Sequence, residues 1–333
     1  MLEHIEVDAF VKVLGDNTGG MSRPVQVIGS NGKEYVLKNQ NVYDPSRRTW
    51  VEWDSMFIQE VLVHRIAKHF GITVPDCAIA NVDSIFLTHA PALRFTHNYV
   101  PGFHFASNLV DGVENNLRDG YETLLALRKP YIKRPWSSFF NNISNKSDVS
   151  KIVILDLLTA NFDRFGNFGN LIIATNNGER LMYCIDHGHC FWGPAWSNLQ
   201  KRQCMLSVSQ GGYIDFWTKA LTQSSGGAFM SGLGEIFRAL DQYIDVANNE
   251  DHCFYDIVLE AEKITPALID SWFSGIPDEW YKDKLSQIDH YKHFIMNQKQ
   301  LLRELLNIMA DKGAFQTHLG GELKWNVKPT GTQ

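Results

Sequence analysis

The sequence predicts an α+β fold in which a strand-rich N-terminal lobe precedes a mainly helical C-terminal lobe. Residues 1 to about 50 alternate in polarity as half-buried strands do, and apolar residues recur at helical spacing from about Ala228 onward. With 333 residues, 44% of them hydrophobic, the chain is long enough for more than one core. We expect the N-terminal lobe over residues 1–100 and the C-terminal lobe over residues 101–333.

A glycine-rich loop lies among the N-terminal strands. Strands are predicted at Ala9–Leu14, Pro24–Ile28 and Tyr35–Lys38. The loop Gly15–Arg23 lies between the first two strands, and its glycines would let backbone N–H groups approach phosphate oxygens closely. An ordinary flexible turn is the alternative interpretation. The loop lacks the Gly-Lys-Ser/Thr ending of a Walker loop, which argues against a P-loop ATPase.

Lys38 ends the third strand and precedes an amphipathic helix. That helix is predicted over Ser55–Phe70 because its apolar residues recur three and four positions apart, and it contains Glu60. A strand lysine followed about twenty residues later by a helix glutamate is the arrangement in which protein kinases orient the lysine. For either residue alone, a solvent-exposed charge is the alternative.

The middle of the chain is predicted with less regular structure. Further strands are expected at Asp76–Asn81 and Ile85–His89. Arg94–Pro101 is a candidate connector between the lobes, and Gly102–Ser147 is expected to be polar and irregular. A helix over Val149–Ala160 then leads into the central polar loop.

The central loop and the hairpin after it would bring two carboxylates and one amide together. The hairpin consists of strands at Leu171–Ala174 and Leu181–Ile185, joined by an Asn-Asn-Gly turn. Because a tight turn returns the chain to its start, we expect Asp186 close to the loop that contains Asp163 and Asn170. Phosphoryl transfer needs such a set, with one carboxylate to orient a hydroxyl and a carboxylate plus an amide oxygen to hold magnesium.

The C-terminal half is predicted to be mainly helical after a loop-like stretch. The stretch is Gly193–Gly212, and the helices are expected at Phe229–Val246, Phe254–Lys263, Pro266–Phe273 and from Asp278 to Ala310. Cys184, His187, His189 and Cys190 are a possible zinc cluster. Their spacing matches no common zinc pattern, so buried cysteines and hydrogen-bonded histidines are the preferred interpretation.

Composition argues against several classes of protein. The net charge is −6 with no long basic run, so we expect no direct binding to nucleic acid. No run is long enough to span a membrane, and the start of the chain lacks a signal-peptide pattern. Five scattered cysteines argue against a disulfide framework. We expect a soluble cytoplasmic protein.

The chain resembles the HipA-like kinase family in segments that occur in order from Gly15 to Trp280. The segments are G-D-N-T-G-G-M-S-R-P-V, Y-V-L-K, Q-E-V-L-V-H-R-I-A, G-I-T-V-P, N-F-D-R-F-G-N-F-G-N-L, C-I-D-H-G-H-C-F and I-P-D-E-W. The resemblance implies a bilobed protein-kinase-like fold that uses ATP and magnesium. It implies transfer of the γ-phosphate to a serine or threonine hydroxyl of a protein substrate. The best-known relatives are toxins of toxin–antitoxin pairs, so an antitoxin-type protein is a candidate partner.

The same resemblance implies roles for the residues that would bind the nucleotide. Lys38 would contact the α- and β-phosphates, and Glu60 would orient Lys38. The turn formed by Thr18, Gly19 and Gly20 would cover the phosphates. Self-phosphorylation at Thr18 or at Ser22 in the same loop is a further hypothesis, because a phosphate there would repel the ATP phosphates.

The resemblance further implies the catalytic and metal-binding residues. Asp163 would be the catalytic base, with Arg164 as its electrostatic neighbour, and Asn170 and Asp186 would bind magnesium. The family carries its asparagine about five positions after the Asp-Arg pair, where this chain has Phe168. We prefer Asn170 as the ligand because it directly precedes the strand that leads to Asp186; Asn167 is the alternative.

Two other functions remain open at this point. Related folds use the same residue set on lipid headgroups or small molecules, and a fold does not determine a substrate. A pseudokinase that binds nucleotide without turnover is the other alternative. The presence of Lys38, Asp163 and Asp186 argues against it.

Overall fold

The computed structural model describes residues 2–14, 23–114, 127, 134–167, 169–224 and 234–325. These residues form a mixed α+β fold, as the sequence predicts. The expected phosphate loop with Thr18, Gly19, Gly20 and Ser22 lies outside the described residues, and so does Phe168.

The N-terminal part is built around a five-stranded closed barrel. Its strands and those of a neighbouring hairpin are β1 (Glu3–Val13), β2 (Val25–Gly29), β3 (Glu34–Leu37), β4 (Asn41–Asp44), β5 (Thr49–Glu52), β6 (Cys77–Val82) and β7 (Gly102–Asn108). The barrel order is β1-β2-β3-β7-β6, and the parallel pairing of β1 with β6 closes it. On β3 the alternate residues Tyr35 and Leu37 are fully buried, as the two-residue period of a strand predicts.

Helix α1 (Met56–His69) follows the β4–β5 hairpin and matches the predicted helix to within one residue at each end. Its apolar side chains, including Leu62 and Ile66, are fully buried. Gly71 follows with φ +63°, a left-handed conformation that glycine adopts readily after a helix. The helix thereby places Glu60 in the interior, where it is 2% exposed.

Two predictions for the segment after α1 are wrong. Ile85–His89 is not a strand but part of helix α2 (Ser84–His89), which begins because the Asp83 carboxylate caps it. A short apolar run has no period that distinguishes the two structures. Arg94–Pro101 is not a connector between lobes, because it begins inside helix α3 (Pro91–Phe95) and leads into β7 of the same barrel.

The chain leaves the barrel after β7, which ends at Asn108. It then runs beside the segment 171–176, where the Thr175 N–H donates to the Gly112 carbonyl at 3.1 Å and the Glu114 N–H donates to the Ile173 carbonyl at 2.8 Å. Gly112 has φ +69°, and a Cβ there would lie 2.5 Å from the Thr175 oxygen. The expectation of an irregular 102–147 region fails for β7 and for helix α4 (Arg134–Phe139).

The central elements follow the sequence prediction. Helix α5 (Asp148–Thr159) is followed by strands β8 (Leu171–Asn176) and β9 (Glu179–Cys184), which pair in antiparallel orientation. Asn177 and Gly178 between them have φ values of +51° and +81°, as a two-residue type I′ turn requires. This hairpin brings the end of β9 back to the start of β8.

The C-terminal part is mainly helical. Its helices are α6 (Leu199–Leu206), α7 (Tyr213–Ser224), α8 (Glu235–Leu240), α9 (Tyr255–Glu262), α10 (Pro266–Phe273) and α11 (Lys284–Asp311). The expectation of a loop over Gly193–Gly212 is wrong, because α6 lies within it. Helix α11 begins after Asp283, whose carboxylate accepts the Ser286 N–H, and Asp278 instead opens a short 3-10 turn.

The described helices and the cysteines can be compared with the expectations from composition. Across the described parts of the sequence, no helix combines the length and the apolar character needed to cross a membrane. All five cysteines are free thiols.

Candidate active site

Lys38 lies between two carboxylates that come from distant parts of the chain. Its ammonium donates to Glu60 Oε1 at 2.5 Å and to Asp186 Oδ1 at 3.1 Å. Burial alone would lower the pKa of Lys38, but the charges of Asp186 and Glu60 outweigh it and raise the pKa above its ordinary value. Lys38 therefore stays positively charged at neutral pH.

Glu60 also binds the backbone next to Asp186. Its Oε2 accepts the His187 N–H at 3.1 Å, so one carboxylate holds both the lysine and the end of the hairpin. The following residue, Gly188, lies so close to α1 that a Cβ would be 2.5 Å from Cγ of Met56 and 3.2 Å from Oε1 of Glu60. A side chain at position 188 would push α1 outward and disturb the contact of Glu60 with Lys38.

Asp163 lies in a loop whose shape is set by hydrogen bonds among polar side chains. Ala160 ends α5 in a left-handed conformation, with φ +47°. The Asp163 N–H donates to Asn161 Oδ1 at 3.1 Å. Asp163 Oδ2 accepts from the amides of Asn170 at 3.1 Å and Asn167 at 3.3 Å. These bonds orient one oxygen of the carboxylate and leave the other for a further partner.

Asn170 has an oxygen that none of the described residues satisfies. The residue is 1% exposed, and its amide nitrogen faces Asp163, but its Oδ1 has no hydrogen-bond partner within the described structure. By contrast, Asn167 Oδ1 accepts the Gly169 N–H at 3.1 Å. A buried oxygen without a donor is costly unless a cation or other ligand meets it. This geometry favours Asn170 over Asn167 as a metal ligand.

Asp186 is held in a backbone conformation that points to a functional constraint. Its φ is +59°, which is uncommon for a residue with a side chain. The side chain is 34% exposed, so one side remains open while Lys38 covers the other. Burial acts to raise the pKa of Asp186, but the positive charge of Lys38 lowers it below its ordinary value. The group is thus an ionised carboxylate available to a cation.

The backbone links Asn170 to Asp186. The Ile185 N–H donates to the Asn170 carbonyl at 3.1 Å, directly before Asp186. Amide and carboxylate oxygens are the ligand types that suit Mg²⁺. The residues present therefore fit a magnesium ion.

Arg164, the predicted electrostatic neighbour of Asp163, extends into the interior of the protein. It is fully buried, and its Nε donates to both oxygens of Asp156 at 2.9 and 2.8 Å. Its remaining donors reach the Ile185 carbonyl at 2.7 Å and His187 Nδ1 at 3.1 Å. Within the described part of the chain no hydrogen bond joins Arg164 to Asp163. Arg164 is a positioning residue that binds the loop to the end of β9.

The possible zinc cluster is not supported. Among the described residues no group of three or more His, Cys, Asp or Glu side chains is placed to hold a metal ion. Burial raises the pKa of the Cys184 thiol to about 12. Burial, together with the charge of Arg164, lowers the pKa of His187 well below its ordinary value, so His187 is a neutral acceptor for Arg164.

Several residues near the site have no signal in the sequence. Asp156 looks like one more position in an apolar helix but is the partner of Arg164. Asp54 and Ser55, just before α1, bind a segment about 140 positions later in the chain. Lys201 is 1% exposed and donates to Ser55. A buried charge cannot be recognised from one sequence when its partner is distant.

Comparison with known proteins shows the fold. No model of a known protein family matches the chain, and no curated protein matches its sequence. The crystal structure of a Helicobacter pylori proinflammatory kinase, CtkA, is similar, with a TM-score of 0.50 and 14% sequence identity. The match covers 96% of this chain and 100% of that chain. The chain therefore has a kinase-like fold.

Proposed function

We propose that the chain is an ATP- and magnesium-dependent kinase of the HipA-like type that phosphorylates a serine or threonine hydroxyl of a protein. The barrel with α1 would form an N-lobe, and the remainder a C-lobe. The observation that supports this most is the position of Lys38, 2.5 Å from Glu60 and 3.1 Å from Asp186. The kinase-like fold supports the same function.

The chemistry follows from the charges of three residues. Lys38 would bind the α- and β-phosphates, and Glu60 would hold it in place. The acceptor hydroxyl oxygen forms a bond to the γ-phosphorus while the bond from that phosphorus to the β–γ bridging oxygen breaks. Asp163 accepts the hydroxyl proton, and ADP leaves with the bridging oxygen. Most of the rate acceleration would come from positioning and from charge stabilisation.

Asn170 and Asp186 would hold a magnesium ion, which supplies positive charge against the phosphate oxygens. Asn170 also donates to Asp163, so one side chain connects the metal position with the base. A metal ion there would account for the Asn170 oxygen, which has no donor among the described residues, while the nitrogen has an acceptor.

The test is incubation of the purified protein with labelled ATP and a cell lysate, comparing wild type with Asp163→Ala. We expect the label to appear in protein and to fall about 10²- to 10⁴-fold in the variant, since Asp163 acts as the base. Asp289→Ala, an exposed carboxylate on α11, is the matched control and should label as wild type does. Equal labelling by Asp163→Ala would reject catalysis by this residue.

The same experiment separates the alternative functions. Label in lipid or small-molecule fractions, with none in protein, would identify a kinase of another substrate class. Nucleotide binding without transfer would identify a pseudokinase. Mass spectrometry of the labelled proteins would identify the substrate, and an antitoxin-type partner and a cytoplasmic location remain predictions.

A further inference from the structure

The start of helix α1 is bound to the segment that follows Asp186, and we propose that this connection positions Glu60 for catalysis. We call the residues that make it the helix anchor: Asp54, Ser55, Gln59 and Lys201. The inference rests on the kinase function proposed above. It assigns positioning residues that lie apart from Lys38, Asp163 and the metal position.

Asp54 and Ser55 form the first part of the helix anchor. Asp54 Oδ1 accepts the Trp196 N–H at 2.5 Å, and its Oδ2 accepts the Ser197 N–H at 3.2 Å. The Ser55 N–H and hydroxyl both donate to the Pro194 carbonyl, at 2.9 and 2.7 Å. Asp54 and Ser55 are fully buried. Two short segments far apart in sequence are thereby joined by four hydrogen bonds.

These two residues are of the types that normally cap their own helix. Asp and Ser at a helix start usually accept a backbone N–H of the first turn. Ser55 is the N-cap residue of α1, yet its side chain makes no capping hydrogen bond. Its hydroxyl binds Pro194 instead. Helix α1 thus has no side-chain cap from Ser55, and the Ser55 hydroxyl contacts the segment 193–197 instead.

Lys201 and Gln59 complete the helix anchor. The Lys201 ammonium donates to Ser55 Oγ at 2.6 Å and lies 5.8 Å from the centre of the Tyr291 ring. In the described structure no carboxylate is within ion-pair distance of it. Such a charge is costly to bury, which points to a role in this connection. One turn further along α1, the Gln59 amide donates to the Gly193 carbonyl at 3.1 Å.

The helix anchor and Glu60 act on the same rigid element. Glu60 lies about 7.5 Å along the helix axis from Ser55 by the helical rise. Glu60 accepts the His187 N–H near the start of the segment, and the helix anchor binds residues 193–197 at its end. Glu60 and Asp186 thus keep fixed positions on either side of Lys38. If the first turn of α1 lost its hydrogen bonds to residues 193–197, the helix could move. Glu60 would then move away from Lys38, and Lys38 would keep only its contact with Asp186.

The test compares Asp54→Ala with Asp54→Asn and measures kcat, KM for ATP, and the affinity for a fluorescent ATP analogue. We expect kcat/KM to fall about 10- to 100-fold in Asp54→Ala, because a displacement on the order of 1 Å is enough for this. Asp54→Asn keeps one of the two oxygen acceptors, the one for the Trp196 N–H, and should lose less activity than Asp54→Ala. Lys201→Met is a second variant, for use if Asp54→Ala does not fold. Lys219→Met, an exposed lysine on α7, is its control.

A second background distinguishes positioning from general stability. When Glu60 is already replaced by Gln, adding Asp54→Ala should lower kcat/KM by less than about twofold. The reason is that both substitutions act on the position of Lys38. An equal reduction in both backgrounds, or wild-type kinetics for Asp54→Ala and Lys201→Met, would overturn the role of the helix anchor. Failure of the wild type to bind the ATP analogue would overturn the kinase proposal, and the role of the helix anchor with it.

Discussion

Two buried ion clusters near the end of β9 differ in how completely their charges are satisfied. Arg164 and Asp156 form a closed pair in which both side chains are almost fully buried and hydrogen-bonded. Lys38 is shared between Glu60 and Asp186, and Asp186 remains 34% exposed. A closed pair has no capacity for a ligand. The open cluster has one, so it is where a phosphate or a cation can bind.

The carboxylates of the two clusters also differ in the direction in which their pKa values are shifted. Burial raises the pKa of Asp156 to about 6 despite the neighbouring Arg164. The pKa of Asp186 is lowered, because Lys38 outweighs the effect of burial there. Asp186 is therefore ionised over the whole physiological range. The closed pair therefore has a structural role, and the open cluster is the one that can take part in chemistry.

The largest expected effect is on stability, from Arg164→Met. Removal of one partner leaves Asp156 buried without a counter-charge, which costs about 3–5 kcal/mol. Denaturant unfolding at neutral pH measures it. The double variant with Asp156→Leu should recover most of the loss, because apolar replacement of a buried pair is nearly neutral. A loss below about 1 kcal/mol in the single variant would contradict the structural role of the pair.

Lys38→Met should affect activity more than stability. We expect kcat to fall about 10²- to 10³-fold, as for removal of one charge-stabilising group. The free energy of unfolding should fall by less than in Arg164→Met. Glu60, whose pKa burial already raises, can be protonated, and Asp186 is open to solvent. Unfolding and steady-state kinetics on the same preparations check both parts. If Lys38→Met lost as much stability as Arg164→Met, the two clusters would have the same structural role, and the proposed difference between them would be wrong.

Lys201 adds a third case, a buried ammonium without a carboxylate in contact. Burial lowers its pKa to about 7, and the charge of Asp54 acts in the opposite direction. The unfolded chain then binds more protons than the folded protein between pH 7 and the ordinary lysine pKa, so stability rises with pH across that window. From pH 6 to pH 9 the wild type should gain about 2–3 kcal/mol relative to Lys201→Met. Parallel unfolding curves over this range would show that Lys201 does not titrate as stated.

Local signals in the sequence predict the open cluster well. Lys38 ends a strand, Glu60 lies in an amphipathic helix, and Asp186 ends a hairpin whose Asn-Gly turn is among the strongest short-range signals. The structure brings these three side chains together. Their roles in catalysis stay predictions until activity is measured.

The closed pair and the helix anchor could not be predicted in the same way. Asp54 and Trp196 are 142 positions apart, and nothing in either segment indicates the other. The resemblance to the HipA-like kinases implied that Arg164 is the electrostatic neighbour of Asp163. Its side chain instead extends into the core toward Asp156. Burial of a charge is decided by tertiary packing, which local periodicity does not contain.

The smallest expected effect concerns the metal ligand. Asn170→Ala should weaken Mn²⁺ binding to the nucleotide complex about 10- to 100-fold, since it removes one of several ligands. Asn167→Ala is the matched control and should change the affinity little, because its oxygen already accepts a backbone N–H. Electron paramagnetic resonance of bound Mn²⁺ measures affinity without requiring turnover, so the loss of the Asn170 hydrogen bond to Asp163 does not confuse the result. A larger loss in Asn167→Ala would identify Asn167 as the ligand. Asn170 would then be a buried side chain that donates to Asp163, and Asp186 would share the metal with Asn167 instead.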